Sequence, residues 1–300
     1  MNPPIDPEEA TAAKSPVGAE IAAATRMGVI HLTVADLDRS VAYYTNAIGL
    51  QLKIRSDGRA ILGTAGTNLL DLTEIAGARP ADGHSGLYHF ALLVPERTDL
   101  AGWLAHAARD RVELTGLSDH FVSEAIYLSD PDHHGIEIYW DRPRKLWAGQ
   151  VAQRLTTFAL DVKNLLGELE DPATADFGGL PAGTSMGHVH LRVADIPATL
   201  GFYRDILGYG LMAELGGSAA FLSAGGYHHH LGANIWESRG AAQPPPGSAT
   251  LTQVTVVLPD PSARARVVER LAGAGHEPRE TSDGLLVLDP SGNPIVLSTG

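Results

Sequence analysis

The strongest constraint on this chain is that it repeats itself. His31-Leu32-Thr33-Val34-Ala35-Asp36-Leu37 returns as His190-Leu191-Arg192-Val193-Ala194-Asp195-Ile196, and the same displacement carries Tyr44 onto Tyr203, Gly49 onto Gly208 and Asp130-Pro131 onto Asp289-Pro290. A register held over so long a span means tandem duplication, and each copy must bury its apolar face in the same way. Each half is doubled again. Residues 29–34 alternate as a strand, with Ile30, Leu32 and Val34 on one face and His31 and Thr33 on the other. Asp36 then caps a helix whose apolar positions Val41, Tyr44 and Ile48 lie on one side, and Gly49 ends it. Short strands follow near 51–54, 60–63 and 68–73. The second quarter repeats the order with a strand over 87–94, a helix over 98–108 and strands over 125–128 and 136–140. The third and fourth quarters restart at Val189 and Leu251.

The expected fold is therefore α+β, with four βαβββ modules forming two tandem domains. Residues 1–27 read as a flexible leader, 28–145 as the first domain, 146–182 as a linker with a helix over 158–169, and 183–299 as the second domain.

Composition narrows the chemistry. There are 22 Lys and Arg against 35 Asp and Glu, a formal charge of −13, which disfavours a nucleic-acid partner because phosphate neutralisation needs a cationic face. The chain has no cysteine, so disulfides, thiolate metal sites and cysteine nucleophiles are excluded, and any metal must use imidazole, carboxylate or water. Thirteen histidines are available for that purpose. No window has the apolar length of a membrane span, and the acidic start lacks an apolar signal region; a cytoplasmic protein with no membrane partner is expected.

A βαβββ module covers one face of its curved sheet with a helix and leaves the other open, so two modules pair into a cup. His31 and His89 occupy matching cup-facing positions on the opening strands of modules 1 and 2. Glu137 lies between Ile136 and Ile138 on a closing strand, on the cup side with Tyr139. A carboxylate among apolar strand residues is costly unless paired or metal-bound. Two imidazoles and one carboxylate form a facial donor set suited to Fe(2+), with Mn(2+) or Zn(2+) as alternatives. Gln253 and Val296 stand at the positions of His89 and Glu137 in the second half, so its own metal set is degenerate. It keeps His188, His190 and the run His228-His229-His230.

These modules, the His31 and His190 openings, the Asp130-Pro131-Asp132 turn and the closing Gly135-Ile136-Glu137-Ile138-Tyr139 strand resemble the vicinal oxygen chelate superfamily, which contains glyoxalases, bleomycin resistance proteins and extradiol dioxygenases. Asp119-His120, Ser123 to Leu128, Asp141-Arg142-Pro143, Gly187-His188-Val189-His190 and Tyr227 to Gly232 resemble its two-domain catechol-2,3-dioxygenase-like members. The resemblance covers residues 28–299. It implies glyoxalase/extradiol-dioxygenase-like domains and an oxidoreductase that opens a small catechol-type aromatic ring with O2 at a non-haem Fe(2+) site. Adjacent modules usually pair in this superfamily, which favours His31, His89 and Glu137 as the metal ligands. Pairing across the halves would put His190 in place of His31. His120, Tyr139 and Glu124 are candidate catalytic acids and bases, and His190, His229 and His230 candidate substrate contacts or a second site. Two other readings stand beside this one: a metal-dependent glyoxalase- or isomerase-like enzyme that needs no O2, and a non-catalytic protein that binds an aromatic ligand between Tyr88, Tyr139, Trp140 and Trp236. Open sheet edges are compatible with a homodimer.

Overall fold

The computed structural model describes residues 20–299. Module 1 comprises β1 (Arg26–Val34), α1 (Leu37–Tyr43), β2 (Gln51–Ser56), β3 (Arg59–Thr64) and β4 (Thr67–Glu74); module 2 comprises β5 (Gly86–Leu93), α2 (Arg97–Asp110), β6 (Gly116–Asp119), β7 (Ser123–Ser129) and β8 (Gly135–Asp141). The linker holds α3 (Val151–Arg154), a two-residue strand β9 (Phe158–Ala159) and α4 (Val162–Leu166). Module 3 comprises β10 (Ser185–Arg192), α5 (Ile196–Leu200), β11 (Gly210–Leu215), β12 (Ala219–Ser223) and β13 (Leu231–Asn234); module 4 comprises β14 (Leu251–Leu258), α6 (Pro261–Gly273), β15 (Arg279–Thr281), β16 (Gly284–Leu288) and β17 (Pro294–Thr299).

The local chemistry behaves as its residue types dictate. The Asp36 carboxylate accepts from Arg39 N at 2.9 Å and Asp195 from Ala198 N at 2.8 Å, which fixes the start of α1 and α5. Gly49, at φ 87°, closes the single π-helical turn that follows α1. The duplicated residues are mostly structural. Tyr44 donates to Asp130 Oδ2 at 2.8 Å and Tyr203 to Asp289 Oδ2 at 3.0 Å, while the free oxygen of each carboxylate holds the turn behind it.

The pairing of modules differs from the favoured expectation. One sheet runs β15-β16-β17-β14-β1-β4-β3-β2 and the other β11-β12-β13-β10-β5-β8-β7-β6-β9. Module 1 thus shares a sheet with module 4, and module 2 with module 3. The physical reason lies in the helices. Within each half the two modules meet helix to helix: buried Trp103 donates to the Ile48 carbonyl at 3.1 Å, and Arg270 donates to the Ile206 and Leu207 carbonyls at 2.7 and 2.6 Å. Their opening strands are left to pair with the other half, β1 antiparallel to β14 and β5 antiparallel to β10. One continuous apolar core, containing Ile30, Trp103, Leu191 and Val254, spans all four modules.

Two segments depart from expectation. The linker helix is confined to Val162–Leu166, because Phe158 and Ala159 hydrogen-bond as an edge strand to β6 instead. Most of the expected flexible leader, residues 1–19, lies outside the described residues. Its last part is ordered: Ile21 is buried and its N–H donates to the Gly208 carbonyl at 2.9 Å.

Candidate metal centre

The site lies in the cup of the β5–β10 sheet. Beta-strand alternation puts His188 and His190 on one face of β10, and β5 runs antiparallel beside it with His89 opposite His190. β8 runs parallel to β5 and places Glu137 beside Ala91, which itself pairs with His188. Two irregularities tune this register. The step between Met186 and His188 accommodates Gly187 as an extra residue, and the step at Leu191 does the same for Tyr88. Because of the second bulge, consecutive residues Tyr88 and His89 both line the cavity, where strict alternation would have sent Tyr88 to the helix side.

Three donor atoms converge. His188 Nε2 is 3.0 Å and His89 Nε2 3.1 Å from Glu137 Oε2, and the two imidazole nitrogens are 3.4 Å apart. All three side chains are buried, and they form the one cluster among the described residues with metal-binding spacing. Donors that occupy neighbouring positions of an octahedral ion at about 2.0–2.2 Å are separated from one another by roughly 3 Å. The spacing therefore fits one face of a divalent ion, and the donor types fit a metal of intermediate softness. Electrostatics agree with the geometry. Burial alone would raise the Glu137 carboxyl, but His188 and His89 outweigh it and hold the group well below the usual range, as an anion. Burial lowers His188, so the imidazole is neutral and its lone pair available, against the opposing pull of Glu137.

A cavity of about 1010 Å³ opens above the donors. His89, Glu137, His190 and His229 reach its wall, as do His120 and Tyr127. His229 and His190 are held well below the ordinary imidazole range, first by burial and then by neighbouring histidines. His120 Nδ1 is 2.7 Å from the Thr156 carbonyl, which can only accept, so Nδ1 carries the proton and Nε2 accepts from the Tyr127 hydroxyl at 2.7 Å.

His89 and Glu137 thus meet as expected, but His31 does not join them. It sits on β1 in the other sheet, where the Gln253 amide donates to its Nε2 at 3.1 Å and Asp71 lies 3.7 Å from its Nδ1. His190 lies beside the donors, its ring 5.0 Å from that of His89, yet the third donor is His188. Glu124 is away from the cavity wall, bound by Arg97 and Arg142, and Tyr139 is buried behind His188 with its hydroxyl 2.8 Å from that of Tyr227. Neither lines the cavity, because β7 and β8 turn those side chains into ionic and aromatic packing. His229 lines the cavity, whereas His230 turns away and accepts from Ala224 N at 3.1 Å. Of the expected aromatic wall, Tyr88 and Trp236 line the cavity and Tyr139 and Trp140 do not. Sequence reasoning quoted His188 and Tyr127 within motif segments but gave neither a role in the site. The parity shared by His188 and His190 was the available signal for the first; alternation alone did not single out the second.

The Glyoxalase/Bleomycin resistance protein/Dioxygenase superfamily pattern matches residues 26–138 and 185–297. The chain belongs to that superfamily. It is 40% identical over 272 residues to the catechol-2,3-dioxygenase of Bacillus subtilis (strain 168), covering 89% of this chain and 94% of that one. Among solved structures it is similar to a dioxygenase candidate from Bacillus subtilis (TM-score 0.62, 16% identity, 94% of this chain and 86% of that one). It is also similar to glyoxalase I from Zea mays (TM-score 0.54, 19% identity, 91% and 92%). The last two likenesses concern the fold alone. No helix among the described residues is long and apolar enough to cross a membrane.

Proposed function

We propose that this superfamily member is an extradiol ring-cleaving dioxygenase that inserts both atoms of O2 into a catechol-type aromatic, with Fe(2+) held by His89, His188 and Glu137. The observation that carries the proposal is the convergence of those three buried donors under a cavity walled by neutral imidazoles and a tyrosine, in a chain 40% identical to a catechol-2,3-dioxygenase. Bound there, ferrous iron supplies the one-electron chemistry that ground-state O2 requires and acidifies a chelating catechol.

The protein's own groups supply the rest. Glu137 brings one negative charge, and the neutral imidazoles add none, so the set tolerates the further anionic charge of a catecholate. His229, whose ring centroid is 4.1 Å from that of His188, accepts a substrate hydroxyl proton beside the metal. The His120–Tyr127 pair holds a second transferable proton beside Glu137, the cross-strand neighbour of Tyr127, and donates it to a substrate oxygen as the ring C–C bond opens, both ring oxygens staying in the product. Tyr88, Trp236 and His190 form a cluster with centroid distances of 5.2 to 5.6 Å, which orients an aromatic ring by edge and face contacts. The cavity is far larger than one catechol needs, and Val122, Leu155, Leu215 and Phe221 line part of it. The preferred substrates accordingly carry an apolar ring substituent.

The test is anaerobic loading with Fe(2+), addition of catechol or 3-methylcatechol, and admission of air. A yellow ring-opened product with one O2 consumed per ring is expected. Turnover of a hemithioacetal with Zn(2+) or Ni(2+) and no O2 uptake would replace this reading with the isomerase-type one. Failure to bind a stoichiometric divalent metal would overturn both.

A further inference from the structure

Two segments marked in the sequence, Tyr227-His228-His229-His230 and Asp141-Arg142-Pro143, meet behind the cavity and are not explained by metal ligation. His229 Nδ1 lies 2.8 Å from His228 Nδ1, and His228 Nε2 lies 2.8 Å from Asp141 Oδ1. The other Asp141 oxygen accepts from the Tyr227 hydroxyl at 2.7 Å. His228 is fully buried, whereas Asp141 is 20% exposed at the end of β8.

The direction of each hydrogen bond follows from what each group can do. A carboxylate only accepts, so His228 must carry a proton on Nε2. With that single ring proton His228 has a bare Nδ1, which can only accept. His229 must therefore donate from Nδ1, which leaves its Nε2, on the opposite side of the ring, as a free lone pair. Reversing the His228–Asp141 bond would set two acceptors against each other in a buried chain, and reversing the His228–His229 bond would require a second proton on the fully buried His228.

We propose that Asp141 and His228 are positioning residues that lock His229 in the tautomer with its proton on Nδ1 and a bare Nε2 towards the cavity. The inference rests on the reading of His229 as the group that accepts the substrate hydroxyl proton. In that step the substrate O–H bond breaks, its proton forms a bond to His229 Nε2, and the electron pair stays on the substrate oxygen. The resulting imidazolium keeps its Nδ1–H on His228, and the Asp141 carboxylate at the end of the chain stabilises the new positive charge. No oxidant or reductant is needed for it. The arrangement applies the orienting logic of acid, imidazole and base found in hydrolytic triads, with a second histidine inserted between acid and base.

The test has a spectroscopic arm and a kinetic arm. Wild-type protein labelled with 15N in histidine and loaded with diamagnetic Zn(2+) is examined by long-range 1H–15N correlation at neutral pH. The His229 signal, assigned by its loss in His229→Gln, is expected to show a protonated Nδ1 and a bare Nε2. A proton on Nε2 overturns the proposal, and this result requires neither turnover nor any variant of Asp141. In the kinetic arm Asp141→Ala is expected to slow turnover at saturating catechol by at least about 100-fold, with KM and bound Fe(2+) unchanged and Asp141→Glu restoring part of the loss. Turnover within twofold of wild type would also overturn it. If the chain cleaves no catechol but His229 shows the expected tautomer, the reaction assignment has failed and the positioning has not.

Discussion

Replacing Glu124 by glutamine separates a structural role from a catalytic one. The side chain is buried, yet it receives Arg97 Nε at 2.7 Å, Arg97 Nη2 at 3.1 Å and Arg142 Nη2 at 2.8 Å. Arg97 also holds Glu168 at 2.6 Å and Asn164 of α4 at 2.7 Å, and Arg142 holds Asp119 at 2.7 Å, so the network ties the start of α2 to α4 and the residue after β8 to β6. The Arg97 and Arg142 side chains are only 17% and 22% exposed, so solvent does not fully screen the loss. A hydrogen bond to a charged group contributes about 1.5–3 kcal/mol, and breaking a buried ion pair costs about 3–5 kcal/mol. Glutamine keeps one acceptor, and each arginine keeps another carboxylate, which places Glu124→Gln near 2–3 kcal/mol. At about 2–4 °C per kcal/mol, that is a fall in Tm of roughly 5–10 °C. Scanning calorimetry and urea unfolding measure it, and steady-state ring cleavage below the transition is expected to be within about threefold of wild type. Ring cleavage slowed by about 100-fold or more with unchanged Tm would refute the reasoning and return Glu124 to the chemistry.

His188→Ala is expected to reduce Fe(2+) affinity more than about 100-fold by equilibrium dialysis, whereas His31→Ala leaves metal content at wild-type level; equal losses would contradict the cross-half site. In Gly187→Ala the new Cβ would lie 1.8 Å from the Tyr139 hydroxyl, so β10 or the tyrosine must move. A destabilisation of about 1–3 kcal/mol and weaker metal binding are expected, and unchanged Tm and affinity would show that the bulge is not tightly packed. His230 is pushed down to about 3, first by burial and then by His228 and His188. Unfolding releases it to its ordinary value of 6.5, so below that pH the unfolded chain binds the extra proton and stability falls as pH drops, by about 2 kcal/mol between pH 7 and pH 5. Urea unfolding across that range is expected to have a shallower slope of stability against pH in His230→Gln, and identical slopes would remove His230 as a cause.

The duplicated modules were legible because their signals are local. Strand alternation at 29–34, the Asp36 and Asp195 caps and the Gly49 stop depend on neighbours a few residues away, and all appear in the structure. The two donors His89 and Glu137 were legible for the same reason, as polar residues at inward positions within module 2. Which module faces which was not, since it is decided by helix contacts such as Trp103 with Ile48, between residues 55 apart in sequence. The repeat itself misled on the third donor. His31 and His190 are the equivalent pair, but the residue that converges with His89 and Glu137 is His188, whose counterpart in the first half is Val29. Likewise Tyr88 enters the cavity through a bulge, and a one-residue slip in register leaves no mark in alternation.

The two cups show why one of them kept the chemistry. In the β1–β14 sheet, Gln253 and Val296 stand where the other sheet has His89 and Glu137, and Val29 stands where it has His188. The remaining polar groups there satisfy one another: Arg59 grips both oxygens of Asp71, and Gln253 bonds to both His31 and Thr255. That cup is closed by its own hydrogen bonds and, among the described residues, has no convergent acceptors in need of a cation. The β5–β10 cup is the reverse, with three acceptor atoms within 3.4 Å that repel one another unless protons or a cation lie between them. Two of those atoms belong to the first half and one to the second, so neither half carries the set alone. A divalent ion bound by this set would act directly on the β5–β10 junction, and its binding free energy would hold the two halves together.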